Sequence, residues 1–114
     1  MNIKRKAIIV EIEGTQHDFI LDFESAINFQ DMYGKSIFIG MDKISKEQDL
    51  KAMVCLIASC LKNENGKSVG MDFVNGLDLM TGLPYFMDKM GELMENSLPK
   101  ETDNKKKPVT KKKN

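Results

Sequence analysis

The stretch ISKEQDLKAMVCLIASCLKNENG, residues 44–66, decides how the rest of the chain is read. Leu50, Met53, Val54, Ile57 and Leu61 recur at three- and four-residue steps, the spacing of one helical face. Leu56 and Cys60 widen that face into the broad apolar stripe of a helix packed on several sides. Ser45 followed by Gln48 fits a capping box, in which each side chain satisfies a free backbone N–H of the other's residue. The polar, glycine-terminated NENG stops the pattern. This spacing predicts one long central helix from about Ser45 to Lys62.

On its N-terminal side, KAIIVEIEGTQHDFIL (residues 6–21) reads as a β-hairpin. Two β-prone runs flank Gly14, which adopts positive φ readily. Ile8, Val10 and Ile12 alternate with polar residues, so one face is solvated. DFESAINFQDMYG (22–34) then reads as a helix. Asp22 or Ser25 caps it, Phe23, Ala26, Ile27, Gln30 and Tyr33 fall at helical spacing, and Gly34 ends it. SIFIGM (36–41) is β-prone and is expected to be an extended linker or edge strand. C-terminal to the central stretch, SVGMDFVNGLDLM (68–80) suggests one or two helical turns weakened by Gly70 and Gly76. Leu83, Phe86, Met87, Met90, Leu93, Met94 and Leu98 mark a last helix, with Pro84 in its first turn, where the missing N–H costs nothing. The fold class expected is mainly α (α+β): an N-terminal hairpin, a small bundle of three to four helices, and a tail. Residues 1–98 form one domain, and residues 99–114, nearly devoid of large apolar side chains, form a disordered lysine-rich end.

Charge separates along the same boundary. The 114 residues carry 17 basic and 17 acidic groups. Residues 99–114 hold seven lysines against two carboxylates, and the other 98 hold ten basic groups against fifteen acidic. An acidic body therefore carries a basic tail. A lysine tail is a solubilising end or a phosphate-binding one, so a small nucleic-acid-binding or regulatory protein is the alternative reading. Against it stand the acidic body and the lack of a basic helix, helix-turn-helix phrasing or aromatic strip.

No constellation in the sequence supports catalysis, a cofactor or a metal. Cys55 and Cys60 are five apart and point in different directions on a helix, so they read as small buried hydrophobes of a reducing compartment. His17 has no Cys or second His beside it and reads as an ordinary hairpin residue. Glu11, Glu13 and Asp18 read as a solvated face, and Ser59 lacks a base. The GKS at residues 66–68 lacks the upstream glycine and strand of a phosphate loop. The apolar run Ala7–Val10 is too short for a secretory core, and nothing approaches a membrane span, so a cytoplasmic protein is expected. Methionine is abundant: Met71, Met80, Met87, Met90 and Met94 fall in the last third of the body. Such side chains fill irregular cores or adapt to varied apolar partners.

In its order of elements the chain resembles the tail assembly chaperones of long-tailed bacteriophages and phage-derived elements of Gram-positive hosts. The phrases that carry the resemblance are the hairpin, ILDFESAINFQDMYGKSI (20–37), ISKEQDLKAMVCLIASCLK (44–62), SVGMDFVNGLDLM (68–80) and the terminal helix, about residues 6–98 in all. Many relatives carry a Trp in the central helix, where this chain has LIASCLK. The resemblance implies a non-enzymatic protein of the host cytoplasm, not part of the finished virion. It implies binding of the helical, apolar tape measure protein, and recruitment of tail tube protein through a longer, frameshifted form. The lysine runs at 105–107 and 111–113 are where such a shift is expected. Homo-oligomers along the client are also expected. Phe86, Met87, Met90 and Met94 on the last helix are the client-binding candidates.

Overall fold

The structure is a computed structural model that describes residues 7–97. The tail from residue 99 lies outside the described residues, so the expectation of disorder there is not addressed.

Strands β1 (Ile8–Ile12) and β2 (Thr15–Phe19) pair antiparallel, Ile8 opposite Phe19 and Ile12 opposite Thr15. Glu13 and Gly14 make the turn with φ of 51° and 82°. Positive φ at both central residues is the turn whose twist matches paired strands. Ile8 and Val10 face inward, while Ile9 and Glu11 face out.

Helix α1 (Phe23–Tyr33) starts where Asp22 accepts from the Ser25 N–H and stops at Gly34, φ 86°. Helix α2 (Ile37–Glu47) follows immediately, so within SIFIGM only Ser36, the N-cap, is extended and residues 37–41 are helical. Composition misled here and spacing decides. Ser36 accepts from the Ile39 N–H, and Ile37, Gly40, Met41 and Ile44 are buried, a helical i, i+3, i+4, i+7 face.

The predicted long central helix is two helices. Ser45 lies inside α2, which ends at Gln48 in the left-handed conformation (φ 54°), and Asp49 caps α3 (Leu50–Cys60) by accepting from the Ala52 N–H. The reason lies in the register. Beyond Ile44, the buried face of α2 would next present Glu47, Gln48 and Lys51, all polar and exposed. A new helix at a new angle instead buries eight of the eleven residues of α3.

After Cys60 the chain becomes strand-like on the free edge of β2. Ile20 N–H donates to the Cys60 carbonyl (2.9 Å), and Lys62 N–H donates to the Asp18 carbonyl (2.8 Å). NENG is a tight turn, with the Asn63 side chain accepting from the N–H groups of Asn65 and Lys67. Short helix α4 (Gly70–Asn75) leads to α5 (Leu79–Ser97). Helix α5 starts a turn earlier than Pro84, capped by Asp78, which accepts from the Thr81 N–H at 3.2 Å. Among the described residues there are thus five helices, one more than the upper expectation, because the central stretch divides and 37–41 is helical. Helix α3 sits in the middle, against α1, α2, α4 and α5.

Candidate interaction surface

An open groove of about 620 Å³ is lined by Leu21, Asp22, Phe23, Glu24, Ala26 and Phe38. Its walls are almost wholly apolar side chain. Phe23 is 88% exposed and Phe38 56%, the first on α1 and the second on α2. Large apolar side chains so exposed on adjoining helices make this groove the candidate contact surface.

The groove is held open by a polar anchor behind it. Lys62 is buried (3% exposed), and its ammonium contacts Asp22 Oδ1 at 3.0 Å and Glu24 Oε1 at 2.8 Å. These carboxylates flank Phe23 in sequence, so tying both inward presents Phe23 outward. Ser25 reinforces the anchor: its hydroxyl is 2.8 Å from both the Ile20 carbonyl and Asp22 Oδ1. Burial pushes the Asp22 carboxyl up, but the Ser25 N–H, the Lys62 ammonium and the Ser25 hydroxyl outweigh it, and the net lies below the usual carboxylate range. The spacing between α1 and α2 is set elsewhere. A Cβ on Gly40 would lie 2.2 Å from Cζ of the fully buried Phe29, so the α2 backbone rests directly on that ring.

The four residues on α5 expected to bind a client divide. Phe86 (5% exposed) and Met90 (1%) belong to the core, so as the protein stands they face its own interior rather than a partner. Met87 is 38% exposed. Met94, half-buried, lines a second cleft of about 290 Å³ with Phe38, Met41, Asp42 and Ser45. Phe38 lines both clefts, so the end of α5 adjoins the groove. Sequence gives no sign of Phe23 and Phe38 as a pair, because the β-prone 36–41 suggests an extended segment; with Phe38 on a helix, both aromatics sit on neighbouring helices.

The remaining candidates have structural roles. His17 Nδ1 lies 2.9 Å from the Lys62 carbonyl, to which its N–H donates, and the ring packs edge-on to Phe73. Ser59 Oγ donates to the Leu56 carbonyl at 3.2 Å in the core. Burial pushes the Cys60 thiol up to about 12, far from a reactive thiolate. Lys67 lies in the turn of a small hairpin rather than a phosphate-binding loop. Among the described residues no cluster of His, Cys, Asp or Glu is placed to hold a metal ion, and no helix is long and apolar enough to cross a membrane.

No protein-family model, curated protein or solved structure matches the chain. Function is therefore read from the surface and from the order of elements.

Proposed function

We propose that the protein is a tail assembly chaperone of a long-tailed bacteriophage or phage-derived element, and that its groove receives apolar helical segments of the tape measure protein. The observation that carries this reading is the pair Phe23 and Phe38, exposed on adjoining helices across an apolar groove. An amphipathic helix laid in such a groove buries its apolar face there and is kept from aggregating. Recruitment of tail tube protein by a longer form, and lateral contacts between copies along one client, belong to the same proposal. A nucleic-acid role has less support: the body, residues 1–98, holds ten basic groups against fifteen acidic, and the lysine-rich end alone is basic.

Co-expression with the tape measure protein encoded beside it tests the reading. The client's soluble yield is expected to rise and the two proteins to co-purify. An unchanged yield with no co-purification would contradict the proposal.

A further inference from the structure

We propose that the turn at Gln48–Asp49 is a hinge that opens, and that two copies of the chain exchange halves through it to form a domain-swapped dimer. The first observation is strain at one point. Gln48 holds φ 54° and ψ 44°, a left-handed conformation that costs a residue with a side chain more than it costs glycine. Among the described residues the only other non-glycine with positive φ is Glu13, in the hairpin turn that requires it.

The second observation is that the same residues fit a continuous helix. From Asp42 to Lys62 there is neither glycine nor proline. Ser45, Lys46, Glu47, Gln48, Leu50 and Lys51 are exposed, so straightening the turn pulls none of them out of the core. Helices α2 and α3 then become one helix over residues 37–60, about 36 Å long. In it the N–H groups of residues 49–52 donate to the carbonyls of residues 45–48. These bonds replace the 3.4 Å bond from the Asp49 N–H to the Lys43 carbonyl and the cap of Asp49 on the Ala52 N–H.

The third observation is how the hinge divides the fold. On one side lie β1, β2, α1 and α2, and on the other α3, α4 and α5. The core is built between these halves: α3 lies against α1 and α2, α5 against β1, and Leu61 bridges to Phe19. With the hinge straight, a second copy supplies each of these contacts, so the dimer buries the same core twice over. The difference between the two forms is then confined to the hinge. The monomer keeps the Asp49 cap and the Tyr33–Asp49 hydrogen bond, and the dimer releases Gln48 and gains a helical turn. Phe23 and Phe38 belong to the same half, so each dimer carries two intact grooves, and the exchange stands whether or not they take a client.

Refolding the full chain from denaturant at micromolar and at millimolar concentration, with light scattering on the separated species, tests the exchange. The dilute sample is expected to give monomer. The concentrated one is expected to give a dimer that persists on dilution, because reverting requires the halves to separate. Dimers refolded from a mixture of isotope-labelled and unlabelled chains then report the swap, through nuclear Overhauser contacts between Phe19 of one chain and Leu61 of the other. Gln48→Gly relaxes the left-handed residue and weakens the straight helix, so it should lower the dimer association constant about tenfold for each hinge, or about a hundredfold for the pair, without lowering Tm. Monomer alone at every concentration would overturn the proposal. So would a dimer whose Phe19–Leu61 contacts stay within each chain, or one that Gln48→Gly leaves undiminished.

Discussion

Gly40→Ala is the sharpest test of how the groove is built. In an ordinary helix interior this change stabilises by about 1 kcal/mol, because Ala loses less backbone entropy. Here the new Cβ would sit 2.2 Å from Phe29 Cζ and 2.7 Å from Cε1, where carbon atoms pack at about 3.5–4.0 Å. Phe29 is fully buried and packs against Tyr33 with ring centroids 5.1 Å apart, so the ring has no open side to move into. Overpacking a core costs about 1–3 kcal/mol, and an overlap of more than 1 Å belongs at the upper end. The net expectation is destabilisation by about 1–2 kcal/mol. At roughly 4–8 °C per kcal/mol for a domain of this size, Tm falls by about 5–15 °C. Denaturant unfolding followed by circular dichroism measures it. Phe29→Leu, which shortens the clashing ring, should recover much of the loss in the double variant, a coupling of about 1 kcal/mol or more. A Gly40→Ala protein as stable as the parent, or more stable, would refute the contact of α2 on Phe29 and the groove geometry that follows from it.

Tyr33 donates to Asp49 Oδ2 at 2.7 Å, and that hydrogen bond, with burial adding to it, pushes its phenol up to about 12. The contribution of Tyr33 to stability is thus present below its unfolded pKa of about 10 and is lost as pH rises through 12. Absorbance titration of Tyr85→Phe, which leaves Tyr33 as the reporter, should show the raised midpoint, and adding Asp49→Asn should lower it. On α5, Met90→Asp places a charge at a 1% exposed position and should cost at least about 3 kcal/mol. Met87→Asp, at a 38% exposed position, should cost far less, and comparing the two Tm values checks the division of that helix. Cys55 and Cys60 are free and buried, so a thiol reagent should titrate neither in the native protein and both after denaturation.

Much of the architecture was legible because its signals were local. The hairpin follows from alternation around Gly14, α1 from Asp22 and Gly34, and the burial of α3 from its stripe. Two features were not. Ile37, Phe38 and Ile39 are β-prone residues that tertiary packing holds in a helix, since helical spacing buries Ile37, Met41 and Ile44 and sets Gly40 against Phe29. The break at Gln48 was hidden because Ser45 and Gln48 mimic a cap, while the working cap is Asp49, four residues further on. The groove depends on both corrections, as Phe38 joins it only from a helix. The methionines of α5 were visible, but Met87 and Met90 are three residues apart, and sequence alone did not say which faces out. Lys62 gave no signal either: its anchoring role depends on carboxylates forty and thirty-eight residues away.

The central claim is that an apolar helix docks between Phe23 and Phe38. Titrating the protein with amphipathic peptides from the tape measure protein, against Phe23→Asp and Phe38→Asp, tests it most directly. Phe23 is 88% exposed, so its replacement should leave Tm nearly unchanged. Loss of an aromatic anchor costs about 2 kcal/mol, so each variant is expected to bind roughly 30-fold more weakly. Parent-like affinity in both variants, with the helices intact by circular dichroism, would contradict the account.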